Sequence, residues 1–190
     1  MNPSPSDPIY QLYVELVDSY PPIWRCFQVP ASFTLAQLHT VMQVVMGWHG
    51  AYPHFFKVNG QRYGQVVAGE TEDDLGDEGA IALSDVFSSE TQPCFYTYDP
   101  QEGWLHRIEL DEVLSAQPDQ SYPCCIDGER ACPPERSGGV WGYEEFLERL
   151  NDPDDPEYDA LWEKAGQDFD PEKLNLEGVN QRLATLDLAL

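Results

Sequence analysis

Positive charge is what this 190-residue chain most lacks. Three Lys and seven Arg stand against 34 Asp and Glu, which gives a formal net charge of −24. A surface with this much negative charge repels the phosphate backbone of DNA or RNA. We therefore expect no direct binding to nucleic acid. A DNA-mimic inhibitor, in which carboxylates imitate phosphates to occupy a basic partner, remains one alternative.

Long apolar runs and a recognisable leader are also missing. No window approaches the ~18 apolar residues that cross a bilayer, so we expect no membrane partner. The start, MNPSPSDPIY, has neither the basic nor the apolar region of a signal peptide. Five cysteines make an odd number in such a chain. We therefore expect a cytoplasmic protein with reduced thiols.

Familiar catalytic motifs are absent as well. The chain has no G-x-S-x-G or H-E-x-x-H motif, no phosphate-binding loop and no dinucleotide fingerprint. An apolar fraction of 42% with 12% aromatic residues nevertheless indicates a folded globule. The sequence therefore favours a non-catalytic binding or interaction module, with an unknown protein partner, over an enzyme.

The organisation of the chain predicts one α+β domain over residues 9–190, after a disordered tail over residues 1–8. Alternating apolar residues over 10–16 and 23–29 predict an antiparallel hairpin. A Thr-x-x-Gln capping box at Thr34 then begins a helix that ends at Gly47. This order of elements is typical of a β-grasp-like start.

Further strands and a helical end complete the predicted fold. The Asn59-Gly60 turn indicates a second hairpin. PCFYTYD and WLHRIEL predict a third pair of strands, and residues 65–80 and 115–140 are expected to be loops. Residues 141–190 are expected to form helices packed on the domain, with proline at the first position of the helix in DPEYDALWEKAG. Strands followed by helices favour an α+β class over a βαβ array.

The stretch CCIDGERACPPE, residues 124–135, raises the question of a metal. Zinc knuckles use C-x(2–4)-C so that two thiolates reach one ion from a tight turn. Cys125 and Cys132 are separated by six residues, so we favour a proline-stiffened loop and no cofactor. If zinc binds, the candidate ligands are Cys125, Cys132 and His106.

The strand predicted at WLHRIEL places Trp104 and His106 on one buried face. A histidine there is usually a hydrogen-bonded core residue. The alternative is that Asp99 orients His106 as a general base. The aromatic set is interpreted as core: Trp24, Tyr96, Tyr98, Trp104 and Trp141.

Several segments together resemble one family. YQLYVELVDSYPPIWRCFQVPASFTLAQLHTVMQVVMGW is similar to the opening of the plasmid pRiA4b ORF-3-like family. YDPQEGWLH and CIDGERACPPERSGGVWGYEEFLERL are similar to its inner motifs, and FDPEKLNLEGVNQRL to its closing helix. The resemblance implies a small α+β domain. The family's members are also described as "TnpR"-labelled passengers of transposable elements.

The residues that keep the family's types define the candidate site implied by this resemblance: His54, Asp99, Trp104, His106 and Glu135, with Cys125 and Cys132 beside them. The alternative function is a metal-binding protein or a metal-assisted hydrolase using these His, Asp and Cys side chains.

Overall fold

A computed structural model describes residues 7–64, 75–87, 93–166 and 168–188. These residues form one eight-stranded sheet with strand order β5-β4-β3-β6-β7-β1-β2-β8. The strands are β1 (Pro8–Leu16), β2 (Trp24–Pro30), β3 (His54–Val58), β4 (Gln61–Gly64), β5 (Leu75–Gly76), β6 (Cys94–Tyr98), β7 (Trp104–Ser115) and β8 (Cys124–Glu129). The helices are α1 (Leu35–Met46), α2 (Leu83–Val86), α3 (Gly139–Leu150), α4 (Tyr158–Ala165) and α5 (Leu176–Ala184).

The predicted first hairpin is confirmed. Strands β1 and β2 pair antiparallel, with Leu12 opposite Phe27 and Val14 opposite Arg25. Their alternating apolar side chains are buried because one face of the sheet packs against α1. Residues 1–6 of the predicted tail lie outside the described residues, but the tail ends earlier than expected, since Pro8 already belongs to β1.

Helix α1 begins and ends where the sequence predicts. Thr34 Oγ1 accepts from the Gln37 backbone N–H at 3.3 Å, and Gln37 Oε1 accepts from the Thr34 N–H at 2.9 Å, which closes the capping box. Gly47 ends the helix with φ 87°, a conformation that glycine adopts without strain. This end of α1 forms one wall of the cleft described below.

The second and third predicted strand pairs are also present. Asn59 (φ 49°) and Gly60 (φ 85°) make the tight turn between β3 and β4, and β6 pairs antiparallel with β7. Of the loop expected over 65–80, residues 65–74 lie outside the described residues. The remainder includes β5, which pairs parallel with β4.

Strand β8 corrects the loop expected over 115–140. Phe27 lies opposite Cys125 and Trp24 opposite Glu129, so β8 extends the sheet at the edge of β2. Its sequence, CCIDGE, lacks apolar alternation because an edge strand is held mainly by backbone pairing. The CCIDGERACPPE stretch is therefore half strand and half loop.

The C-terminal helices bring two smaller corrections. Trp141 is 75% exposed, so it is not a core residue. The predicted proline lies outside α4, which begins at Tyr158 after Glu157 at its N-cap. Side chains of α3 and α5, such as Phe146 and Val179, share one apolar core with the sheet.

The α+β class is confirmed, whereas the β-grasp-like character of the opening segment is not. Among the helices in the described ranges, none is long and apolar enough to cross a membrane.

Candidate functional site

A cleft of about 790 Å³ lies beside the end of α1. Its other walls are the loop over residues 131–135, the end of α4 and the segment leading into α5. This volume lies within the roughly 300–1,000 Å³ typical of small-molecule sites. We call it the Arg25 cleft. Its charged lining is Arg25, Glu135, Lys164, Asp168, Asp170, Lys173 and Arg182.

Arg25 is the most buried cation of this lining, with 1% of its surface exposed. Its Nε donates to the Val45 carbonyl at 2.9 Å, and Nη1 donates to the Trp24 and Glu129 carbonyls at 2.7 and 2.8 Å. Val45 lies in the last turn of α1, where helix carbonyls lack intrahelical donors. Arg25 therefore joins the end of α1 to β2 and β8.

The Arg25 charge has no carboxylate partner among the described residues, and Nη2 has no hydrogen-bond acceptor there. Burial lowers the pKa of the Arg25 guanidinium from its ordinary value. Arginine nevertheless remains protonated in proteins, so a full positive charge is kept at the cleft.

Lys164 and Arg182 show the same lack of an ion pair within the described ranges. Lys164 Nζ donates to the Arg136 carbonyl at 2.7 Å, and Arg182 Nη2 donates to the Val44 carbonyl at 3.3 Å. Among the cleft cations, Lys173 does have a carboxylate partner, Asp170, at 2.6 Å.

Arginines elsewhere in the molecule differ from these three. Each of four has a carboxylate partner: Arg107 with Glu109 at 3.3 Å, Arg130 with Glu172 at 2.6 Å, Arg136 with Asp99 at 3.4 Å and Arg149 with Asp155 at 2.9 Å. Acids outnumber bases 34 to 10, so a cation without an acidic neighbour is unexpected. Arg25, Lys164 and Arg182 therefore line the cleft as three cations without an ion pair among the described residues.

One carboxylate of the cleft, that of Glu135, is held firmly in place. It accepts hydrogen bonds from Tyr98 Oη at 2.5 Å and from the His49 backbone N–H at 3.2 Å, and its Oε2 lies 3.3 Å from His49 Nδ1. Burial alone raises the pKa of the Glu135 carboxyl, but these hydrogen bonds outweigh it and lower that pKa. Glu135 is therefore held in its charged form.

An aromatic layer forms the apolar wall near Glu135. Trp48 stacks on Tyr98 with ring centroids 4.8 Å apart, and its Nε1 donates to the Pro133 carbonyl at 2.9 Å. Behind Trp48 lie Trp104 at 5.8 Å and His106 at 5.3 Å, measured between ring centroids. This layer connects the cleft to the core of the sheet.

A second group of polar side chains lies in the core, and we call it the histidine cluster: His39, Gln43, His54, Glu78 and Tyr96. The His39 and His54 rings stack 3.4 Å apart and 2° from parallel. His54 Nε2 lies 2.8 Å from Glu78 Oε2, and Tyr96 Oη accepts from Gln43 Nε2 at 2.9 Å and lies 2.8 Å from His39 Nδ1. Burial, and then the neighbouring His54, lower the pKa of His39 to about 3, so this ring is neutral.

Residues 8–178 match the family described as plasmid pRiA4b ORF-3-like protein. The chain belongs to this family. It is 30% identical over 184 residues to the "Uncharacterized protein y4hQ" of Sinorhizobium fredii, covering 94% of this chain and 92% of that one.

A solved structure of a relative has the same fold. The protein of unknown function MM3350 from Methanosarcina mazei Go1 superposes with a TM-score of 0.81 at 36% identity. The match covers 90% of this chain and 97% of that chain.

In this pRiA4b ORF-3-like protein, the predicted Asp99–His106 pair does not form. His106 is fully buried, its Nδ1 lies 3.3 Å from the Tyr96 carbonyl oxygen, and its Nε2 has no partner among the described residues. Asp99 instead pairs with Arg136 at 3.4 Å. Burial lowers the pKa of His106 to about 4, which makes it a neutral core residue.

The candidate metal ligands are not assembled either. Within the described ranges, no three His, Cys, Asp or Glu side chains are arranged to hold one ion. The parallel His39 and His54 rings cannot share an ion, because a bound ion lies in the plane of each ligating ring, about 2 Å from its nitrogen. Burial raises the pKa of Cys125 to about 11 and that of Cys132 further, which opposes thiolate formation.

Five of the seven residues predicted from the sequence lie in two places, whereas Asp99 pairs with Arg136 and Cys125 lies on β8 opposite Phe27. Cys132 and Glu135 line the Arg25 cleft, and Trp104 and His106 lie behind its aromatic wall. His54 belongs to the histidine cluster.

Arg25 was missed as a functional residue, although the sequence carried its signal. The alternating run Ile23, Arg25, Phe27, Val29 places an arginine on a buried face. The charge of a buried arginine needs a compensating partner, and this requirement indicates a ligand-binding site.

Proposed function

We propose that this family member is a non-catalytic cytoplasmic binding protein whose Arg25 cleft holds a small organic anion. The observation that carries the proposal is the buried Arg25 guanidinium, which lies without a carboxylate partner among the described residues. Its free Nη2 N–H groups suit a carboxylate or phosphate, since arginine recognises both with paired donors.

The remaining lining supports an organic ligand over a bare ion. Trp48, Pro134 and Phe169 add apolar surface to the cleft, and Arg182 and Lys164 add charge. The net charge of −24 opposes a polyanion, whose charges extend across the acidic surface, more than a small anion that fits inside. At physiological ionic strength repulsion is screened beyond about 8 Å, so a small anion reaches the cleft.

Binding without catalysis is supported by the state of the reactive groups. The Cys132 thiol has a raised pKa and His106 is neutral and enclosed, so neither acts as an activated nucleophile or an accessible base. All five cysteines are free, which suits the reducing cytoplasm.

Thermal shift with matched ligands tests the proposal. We expect 3-phenylpropionate and phenyl phosphate to raise the melting temperature, and the uncharged 3-phenylpropanol to leave it unchanged, because only the anions pair with the cleft cations. Arg182→Gln and Lys164→Gln should each reduce the shift without unfolding the protein. Arg107→Gln, which removes a paired arginine outside the cleft, is the control. Equal shifts with the alcohol, or shifts unaffected by both cleft variants, would contradict the proposal.

A protein partner is a second candidate function, favoured by the exposed face of α3. Trp141 is 75% exposed and shares this face with Glu144, Glu145 and Glu148 at helical spacing. No described cation pairs with these three carboxylates, so the face suits a basic segment that stacks a cation on the indole. A Lys-rich peptide should quench the tryptophan fluorescence of the protein saturably; Trp141→Phe should abolish this quenching, and Glu145→Gln should weaken it. Equal quenching in either variant would argue against this candidate.

A further inference from the structure

We infer that the ligand of the Arg25 cleft also carries an ammonium group, so that the site is built for an amino acid with an apolar side chain. The inference rests on the proposed function, because it adds a second charged group to the same cleft. We call Arg25, Lys164 and Arg182 the cationic pole and Glu135 the anionic pole. The cations receive the carboxylate of the ligand, and Glu135 receives its ammonium.

Glu135 has the properties of an ammonium receptor. Its side chain is 19% exposed, so its oxygens are largely withdrawn from water. Tyr98 Oη and two groups of His49 fix the carboxylate, and its oxygens together offer about four acceptor positions, which leaves room for a further donor. No Lys or Arg of the described residues pairs with it.

His49 does not take the place of a permanent cation at this carboxylate. Its side chain is 81% exposed and adds a charge only when protonated. The short contact from Tyr98 and the contact from the His49 backbone N–H involve neutral donors. The negative charge of Glu135 therefore remains available to a ligand.

The two poles are attached to the same short segment of the chain, the end of α1 and the residues that follow it. Arg25 Nε donates to the Val45 carbonyl at 2.9 Å, Glu135 accepts from the His49 backbone N–H at 3.2 Å, and both residues line the cleft. A ligand that reaches both must therefore present two opposite charges, as the carboxylate and ammonium of an amino acid do.

The apolar part of the cleft lining favours a ligand with an apolar side chain. Trp48, Pro134 and Phe169 line the same space, and their apolar surface gains nothing from a charged third group on the ligand. Because like charges at either pole repel, a diacid is disfavoured by Glu135 and a diamine by Arg25.

Isothermal titration calorimetry with three related probes tests the inference. Phenylalanine carries both charges, 3-phenylpropionate only the carboxylate, and phenethylamine only the ammonium. We expect phenylalanine to bind ~10-fold or more tightly than 3-phenylpropionate, since a buried charge-assisted hydrogen bond is worth about one factor of ten or more. Phenethylamine should bind more weakly than both acids.

Two variants test whether Glu135 causes the preference for phenylalanine over 3-phenylpropionate. Glu135→Gln keeps one oxygen that can accept from both Tyr98 Oη and the His49 backbone N–H, so we expect the fold to be retained. The variant should reduce the affinity for phenylalanine to that for 3-phenylpropionate. Asp168→Asn makes the same charge change elsewhere in the cleft and should preserve the preference for phenylalanine.

The outcomes separate the inference from the proposed function. If 3-phenylpropionate binds and Arg182→Gln weakens it, but phenylalanine binds no more tightly, the second pole is wrong and the anion site stands. A preference for phenylalanine that survives Glu135→Gln, or is lost equally in Asp168→Asn, also overturns the second pole. Binding of neither acid overturns both.

Discussion

The Arg25 cleft and the histidine cluster both contain buried polar side chains, but the two regions differ in the partners of those side chains. In the cluster, Tyr96 Oη contacts both Gln43 and His39, and Glu78 contacts His54. In the cleft, Arg25 has bonded its Nε and Nη1 to carbonyls and keeps an uncompensated charge.

The difference between them separates structure from recognition. In the histidine cluster the side chains bond to one another, which stabilises the fold. A charge buried without a counter-ion costs free energy, so it is retained where something outside the fold completes it.

Removing the Arg25 side chain should have the largest effect. In Arg25→Met, three carbonyl oxygens lose charged donors worth roughly 1.5–3 kcal/mol each. Removing a charge that is costly to bury offsets part of this, so we expect a net loss of about 3–5 kcal/mol in the free energy of unfolding. Urea unfolding measures it. The matched variant Arg107→Met removes an exposed pair and should cost less than about 1 kcal/mol. Equal losses would mean that Arg25 has no special structural role.

Acid should destabilise the protein through its buried neutral histidines. The pKa of His39 falls to about 3 and that of His106 to about 4 on folding, so the unfolded chain binds more protons below pH 6.5. The contribution of these two neutral histidines to the free energy of unfolding is therefore fully present above pH 6.5 and is lost as the pH falls towards 4. Between pH 7 and pH 5 we expect a loss of about 2 kcal/mol for each histidine.

Urea unfolding of His39→Gln across the same pH range isolates one of these contributions. The variant should show a smaller pH-dependent loss than the wild-type protein, by the share of one histidine. Identical pH profiles for the two proteins would show that His39 is not a buried neutral group.

Tyr96→Phe should affect the cluster without affecting the cleft. It leaves Gln43 Nε2 and His39 Nδ1 without their partner, which we expect to cost about 1–3 kcal/mol of unfolding free energy. Affinity for 3-phenylpropionate should remain that of the wild-type protein, as measured by calorimetry. If the folded Tyr96→Phe variant bound 3-phenylpropionate more weakly, the histidine cluster and the cleft would be coupled.

Arg182→Gln should have the smallest effect on stability and a clear effect on binding. Arg182 Nη2 donates a long hydrogen bond of 3.3 Å to the Val44 carbonyl, so the free energy of unfolding should change by less than about 1 kcal/mol. Affinity for the anion should nevertheless fall several-fold, because one of three unpaired cations is lost. A large loss of stability with unchanged affinity would show that Arg182 supports the fold and does not bind the anion.

Much of the fold was predictable because its signals are local. The capping box at Thr34, the turn at Asn59-Gly60 and the alternation in β1 and β2 each encode an element within a few residues. Strand β8 was not predictable in this way, because its order comes from pairing with β2, about a hundred residues earlier.

The site was predictable only in part, for the same reason. Glu135 was found through the family resemblance, but its partner Tyr98 comes from a distant strand. Arg25, Lys164 and Arg182 converge from β2, α4 and α5, and no spacing in the sequence reveals that they lack carboxylate neighbours.

The most direct test of the central claim is a crystal structure of the protein soaked in sodium bromide, with the anions located by their anomalous scattering. If the cleft cations await an external anion, a bromide should lie within hydrogen-bonding distance of Arg25 Nη2, with Arg182 or Lys164 beside it. Bromide bound elsewhere on the surface, with an open cleft and none beside Arg25, would contradict the claim.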